Sequence, residues 1–472
     1  MAQIVTPYTG DPYRERVNTN LGRFVVGKTH DGLTAGVRYH AHTIAEGSTP
    51  FYTDATYQGW VANRLSLTMS GAAGNYANWV SRTGHRATVN ITDLAPIYGG
   101  FEYGISAPWG FDVTLSACAI EYPVGVFTPF TWGGGNTEGT TILRGTIQKA
   151  NTVTINIPKG EIFWLWTWQN SPTNEVAQGP GFSANIETFG DGHLNGAPGG
   201  TAFNRTWTVV GTGTVKNCYF PTAIVGTCPG DHCSPVACGD STYYGGNNVA
   251  TGLHPDTRER GVIGNVLAPD IGFLNLGYNG TTAGTWLAQM NTTALATLMQ
   301  YVTLGVVGFG VNDISATTPA QPVTIRANMA TLVNYLRSLA RPDVPFIPTT
   351  VTPNTSTSDG HTTIAGQSAK FSSTTGAAAE TLKEEFNAER RRGVNGFNPG
   401  YIEAALSFCA PGREAIWHAD PAFSGPICDT PTGLHPNAVG YALMRQRNLI
   451  DRSIFGLGPM APWAGDAAAL GL

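Results

Sequence analysis

Charge is scarce in this sequence. Only 12% of its 472 residues are Asp, Glu, Lys or Arg, about half of the roughly 25% usual in globular chains. Lysine supplies just 6 of the 27 basic residues, net charge is −5, and no basic run exceeds Arg390-Arg391-Arg392. That leaves no electrostatic footprint for nucleic acid. It also excludes a long coiled coil, which is built from Glu, Lys and Arg. No apolar run approaches the roughly 18 residues of a membrane span. Met1 to Asp11 lacks the basic and then apolar text of a Sec signal, so none is expected there. Seven cysteines, an odd count, cannot all pair within the chain. What the chain does have is 42% hydrophobic and 10% aromatic residues, with Gly 59 and Pro 30. That is enough apolar text to bury a core, which excludes disorder. The length favours two or three domains with many turns.

The two halves are written differently. From about 81 to 230, Phe111 to Tyr122, Val124 to Trp132, Thr152 to Ile157 and Glu161 to Trp168 are rich in Val, Ile, Thr, Phe and Trp. Gly and Pro clusters separate them, as in a β-sandwich or jelly roll. Residues 1–80 are less periodic and are expected to pack around the sandwich as loops and short helices. From 231 to 472 strand and helix alternate. Ser234 to Cys238, Leu304 to Phe309, Pro345 to Thr352 and Ile402 to Phe408 are strand candidates. Arg326 to Arg341 carries Met329, Leu332, Val333, Leu336 and Leu339 at helical spacing. Thr374 to Arg392 is expected to be an exposed helix, and Asn437 to Ile454 a closing one. The fold class expected is therefore α/β, a three-layer parallel sheet with helices on both faces, preceded by a mostly-β sandwich.

In open parallel sheets, reactive residues gather beyond the carboxyl ends of strands. Four blocks fall at such positions: Cys238-Gly239-Asp240-Ser241, the loop Asn275 to Thr281, Gly310-Val311-Asn312-Asp313, and Gly433-Leu434-His435-Pro436. A serine needs a base to take its proton, which an imidazole supplies. In content and order these blocks resemble the SGNH (GDSL) hydrolase family over about residues 231–460. The resemblance implies Ser241 as nucleophile and His435 as general base. It implies an oxyanion site made by the backbone N–H groups of Ser241 and Gly280 and the amide of Asn312. The family usually places an aspartate three residues before the histidine, where this chain has Thr432. Asp429 lies three residues further upstream. Three readings stay open: Asp429 completes a triad, a Ser–His dyad works alone, or activity has been lost.

Other features carry two readings each. Gly22 to Thr29 matches the P-loop expression letter for letter, but lacks a strand before it and a helix after it. Cys218, Cys228, His232 and Cys233 could form a disulfide, a zinc site or simply a buried cluster; no metal or other cofactor is expected. His254 repeats the Gly-Leu-His-Pro text and reads as a surface or substrate-loop residue. Trp164, Trp166 and Trp168 alternate onto one side of a strand, as core packing or as a sugar-stacking platform.

The resemblance implies a serine esterase that removes acetyl or other short acyl groups from a carbohydrate or polysaccharide. Some carbohydrate esterases join a jelly-roll module to an SGNH domain in this order. No GxSxG elbow of the lipase type occurs. The competing reading is a virion or cell-surface protein of spike or fibre type, whose hydrolase half is active or degenerate. A glycan is the expected partner, with homo-oligomer or virion assembly as further expectations. An extracellular or virion-associated location without a Sec signal is expected, the alternative being cytoplasmic.

Overall fold

Strands of alternating pattern need a face to bury, and before residue 230 they find it in each other. The computed structural model describes residues 55–62, 65–66, 70–74, 78–100, 111–135, 137–171, 175–178, 192–195, 218–244, 261–268, 270–290, 292–315, 322–341, 344–371, 374–392, 400–430, 432–461 and 466–471. One antiparallel sheet runs Thr56–Trp60, Ala223–Pro229, Ile91–Gly99, Val153–Ile157. A second runs Gly192–Asn195, Asn78–Arg86, Ile162–Asn170, Val113–Glu121, Phe127–Pro129. Leu94 and Ile97 of the first share a core with Leu115, Ile120, Phe163 and Leu165 of the second, which is sandwich packing. Trp164, Trp166 and Trp168 do share the opposite side, beside Val80, Ala117 and Ala119. The Arg82 guanidinium lies 4.3 Å from the Trp164 ring.

Several expectations are corrected here. The strand Val124 to Trp132 shrinks to Phe127–Pro129. Gly125, at φ +82°, donates its N–H to the Glu121 carboxylate and draws Val124 into a turn. The described part of residues 1–80 consists of strands, not short helices. The P-loop text and His254 lie outside the described residues.

The C-terminal half centres on a parallel sheet in the order Phe346–Pro348, Leu304–Gly308, Pro235–Gly239, Leu274–Gly277, Leu65–Ser66. Val236, Cys238 and Leu276 pack on one face with Trp286, Leu332 and Leu336. Ala237, Phe273 and Val306 pack on the other with Val262, Val266 and Tyr441. A sheet covered on both faces reads as continuous apolar text, which is why these strands are short runs without polar alternation. Pro345 to Thr352 forms a strand only over Phe346–Pro348. Ile402 to Phe408 is not a strand. Ile402 makes a single bridge to Thr349, and Ala405–Phe408 is a helical turn whose first N–H groups are taken by side chains, Ala405 N–H by Thr350 Oγ1 at 2.8 Å and Leu406 N–H by the Glu403 carboxylate at 3.1 Å. The closing helix is Ala438–Arg447, stopped by Asn448 in the left-handed region at φ 48°.

The helix Ala377–Arg391 is not an exposed one: Lys383, Phe386, Asn387 and Arg390 are buried. Burial pushes the Lys383 amine down to about 7, although its Nζ donates to the Glu414 carbonyl at 2.8 Å. The unfolded chain binds this proton up to the usual lysine value, so between pH 7 and about 10 it holds more protons than the native state. Stability is therefore expected to rise with pH across that window. In Lys383→Met, thermal melts should show a higher midpoint at pH 7 and a flatter pH dependence above it.

The halves are not independent. Leu65–Ser66 supplies the edge strand beside Leu274–Gly277. Trp60 is fully buried, its indole donating to the Pro235 carbonyl at 3.1 Å and its N–H to Ser234 Oγ at 2.9 Å. Trp60→Ala is expected to cost about 3–5 kcal/mol, read as a lowered melting midpoint. Residues 231–472 expressed alone would bare both a strand edge and an apolar face. We expect that fragment to aggregate, which sedimentation of the expressed fragment will show.

All seven cysteines are buried thiols, and Cys228 and Cys233 pack as small, largely apolar residues. His232 Nε2 meets the Trp60 carbonyl at 3.2 Å, and burial pushes its pKa down to about 4. Among the described residues no three His, Cys, Asp or Glu side chains gather as metal ligands.

Candidate active site

The strand Pro235–Gly239 has Leu274–Gly277 on one side and Leu304–Gly308 on the other. The chain therefore leaves its carboxyl end at a point where successive connections run in opposite directions, which opens a crevice. A helical turn, Ser241–Tyr244, lies across these strand ends. Three glycines permit it. A Cβ on Gly239 would stand 2.4 Å from Tyr243 Cγ, one on Gly277 2.4 Å from the Tyr244 nitrogen, and one on Gly308 2.1 Å from the Tyr243 hydroxyl. The Tyr243 hydroxyl donates to Thr349 Oγ1 at 2.5 Å, and Asn275 Nδ2 donates to the Tyr243 carbonyl at 3.0 Å.

Ser241 is thereby held just beyond the sheet. Its Oγ lies 2.8 Å from His435 Nε2. His435 Nδ1 lies 3.0 Å from Asp429 Oδ2. Three residues separated by up to 194 positions thus form one hydrogen-bonded chain. A hydroxyl bonded to an imidazole that faces a carboxylate can lose its proton as it attacks a carbonyl, and the imidazolium so formed has a counter-charge.

The loop that carries Asp429 is closed on itself. Asp429 N–H donates to the His435 carbonyl at 2.9 Å, and Gly433 N–H to the Asp429 carbonyl at 2.8 Å. Asp429 Oδ1 accepts the N–H groups of Leu434 at 2.7 Å and His435 at 2.9 Å. Thr432, at the position where the SGNH pattern has its acid, donates its hydroxyl to Asp429 Oδ2. Asn437 caps the following helix and donates to the Pro426 and Cys428 carbonyls.

Gly280 and Asn312 follow the strands on either side of Ser241. Gly280 sits at φ +75°, with nothing within 4 Å of the place a Cβ would take. Asn312 Nδ2 donates to the Thr281 carbonyl at 2.9 Å, which ties its helical turn, Val311–Ser315, to the loop containing Gly280. Asp313 accepts the Ala283 N–H at 3.1 Å, and burial raises its pKa to about 6. Asp240 accepts from the backbone and hydroxyl of Thr242; burial raises its pKa, while Thr242, His435 and Arg390 pull it back. Arg390, buried, donates to the Phe309 and Thr349 carbonyls at the ends of two strands. Nothing in the sequence marked Arg390: its arginine triplet reads as a solvated run, and only helix packing turns it inward.

The family match falls on this half. A family model for the GDSL-like Lipase/Acylhydrolase family matches residues 237–443. These residues are a GDSL-like acylhydrolase domain. The match begins on the strand that precedes Ser241 and ends within the closing helix. Among solved structures, the chain is similar to a carbohydrate acetylesterase family member from Sinorhizobium meliloti, at 18% identity over 48% of this chain and 100% of that one, TM-score 0.32. It is also similar to a family two carbohydrate esterase from Clostridium thermocellum solved with cellohexaose, at 11% identity over 84% of this chain and 97% of that one, TM-score 0.30. No curated protein matches the chain. No helix among the described residues is long and apolar enough to cross a membrane.

Proposed function

We propose that the acylhydrolase domain is a serine esterase in which Ser241 attacks the acyl carbonyl, His435 takes and returns the proton, and Asp429 orients the imidazole. The observation that carries this is the unbroken chain from Ser241 Oγ through His435 to Asp429 Oδ2, at 2.8 and 3.0 Å. Attack makes an oxyanion, for which the N–H groups of Ser241 and Gly280 and the Asn312 amide are the proposed donors. Each such donor is worth about 10²–10³ in turnover. His435 then protonates the leaving alcohol, and water repeats the cycle on the acyl-enzyme.

A short acyl group is favoured by the enclosure of the nucleophile, since Ser241 is only 2% exposed. A carbohydrate as the alcohol is supported by the order of the modules, an antiparallel sandwich ahead of the acylhydrolase domain. The proposed units are residues 1–80, 81–230 and 231–472, with Thr56–Trp60 pairing in the second and Leu65–Ser66 in the third. The test is release of acetate from acetylated oligosaccharides, set beside acetyl and long-chain 4-nitrophenyl esters. Acetyl esters should turn over fastest. Absence of turnover on every short-chain ester would leave the virion or cell-surface role, with a degenerate hydrolase half, as the better reading.

A further inference from the structure

A hairpin far from the four sequence blocks grips the loop between Asp429 and His435. Its strands are Thr355–Thr357 and Gln367–Phe371, paired antiparallel. The Gly433 carbonyl accepts the Thr355 N–H at 3.0 Å and the Trp417 indole N–H at 2.8 Å. Trp417 is itself held to the hairpin, its N–H donating to Gln367 Oε1 at 3.2 Å and its carbonyl accepting from Gln367 Nε2 at 3.1 Å. Gly433 is left-handed at φ +60°, and a Cβ there would stand 2.3 Å from His361 Nε2. The imidazole of His361, together with the Thr355 carbonyl oxygen, also at 2.3 Å, fills the space that a side chain would need.

His361 is unusual in its own right. It is a non-glycine residue at φ +65°, a conformation that costs energy unless the surroundings hold it. It is 1% exposed. Its N–H donates to Thr357 Oγ1 at 2.8 Å, and its Nε2 lies 3.0 Å from Thr355 Oγ1. Thr355 spends its own hydroxyl proton on Gln367 Oε1 at 3.3 Å. Nε2 is thus the donor to Thr355, and Nδ1 is left as a bare, buried nitrogen with no hydrogen-bond partner. A second proton there would be buried unpaired, so the ring stays neutral. Burial lowers its pKa, with Thr355, Asp429 and Asp359 pulling the other way. A neutral ring beside the loop fills space without offering Asp429 a competing cation.

We propose that His361 is a positioning residue for the Asp429–His435 pair: its ring packs over the Gly433 α-carbon and holds the turn that lets an acid six residues before the histidine reach the imidazole. This rests on the reading of Ser241, His435 and Asp429 as a triad. Small misplacements of reacting groups cost about 10²-fold. In the full-length chain, assayed on 4-nitrophenyl acetate, His361→Ala is expected to lower kcat about 10- to 100-fold while KM changes by less than about threefold. His361→Gln, whose carboxamide reaches Thr355 Oγ1, should restore most of kcat. The downfield proton signal of His435 Nδ1–H gives a readout without turnover: present in the wild type and His361→Gln, lost or shifted in His361→Ala. Wild-type kcat and an unchanged signal in His361→Ala overturn the proposal. So does equal impairment of the alanine and glutamine variants. If His361→Ala does not fold, Thr355→Val removes the hydroxyl that anchors the ring and keeps the backbone bond to Gly433; a wild-type kcat there is equally fatal. Ser241→Ala separates the two levels. An active Ser241→Ala sinks the triad itself, whereas an inactive one beside a fully active His361→Ala sinks only the role of His361.

Discussion

Ser241→Ala is expected to lower ester hydrolysis by about 10⁴- to 10⁶-fold, with KM and the melting midpoint nearly unchanged. The size follows from the chemistry. Without the hydroxyl, no acyl-enzyme forms, and what remains is the modest help that oxyanion donors and binding give to water. Removal of one small hydroxyl from Ser241 breaks its bond to His435 and no other bond described for that side chain. The helical turn is held by other contacts, including Tyr243 to Thr349 and Asn275 to Tyr243. Steady-state kinetics and a thermal melt on the same preparation check both halves of the statement. Comparable activity in the variant and the wild type would remove Ser241 as nucleophile.

Asp429→Asn is expected to cost about 10⁴-fold in kcat, the second largest effect. The carboxylate accepts hydrogen bonds from Thr432, from Leu434 and from both the backbone and the ring of His435. A carboxamide can accept at only one of its two ends. Whichever way the substituted amide turns, its NH₂ meets N–H or O–H donors, so the imidazole loses its tautomer or the loop loses its closure. A rate equal to that of the wild type would support a Ser–His dyad instead. Thr432→Val removes one of these donors and should cost about ten- to a hundredfold, the size of one hydrogen bond to a charged group. Thr432→Asp restores the usual SGNH spacing on paper. It also sets a second carboxylate beside Asp429, and like charges so close cannot both stay ionised. We therefore expect Thr432→Asp to be slower than the wild type.

Much of the architecture was legible in the residues. The period-two text of Ile162–Asn170 placed its tryptophans on one side because side chains alternate along a strand. The face of Pro322–Leu339 was legible because its apolar residues recur at helical spacing. The errors share a cause. Ala377–Arg391 reads as a solvated helix by its charges, yet Lys383 and Arg390 are buried, and long-range partners, the Glu414, Phe309 and Thr349 carbonyls, accept from the Lys383 Nζ and the Arg390 Nη1 and Nη2 groups. Ile402 to Phe408 reads as a strand by its apolar content, yet Thr350 and Glu403 take the first N–H groups of a helical turn there. Local composition records propensity, and tertiary contacts override it.

By itself the sequence determined the two-part layout, the scarcity of charge and the order of four blocks at strand ends. Each of these is a local pattern, written within a few residues. Only the tertiary structure decided which carboxylate faces His435, that Leu65–Ser66 completes the acylhydrolase sheet, and that His361 and Trp417 pack around Gly433. Those outcomes depend on loop closure and on contacts between residues tens to hundreds of positions apart. The chain's few charges carry no spacing signal for them, because their partners are chosen by how the loops and helices pack.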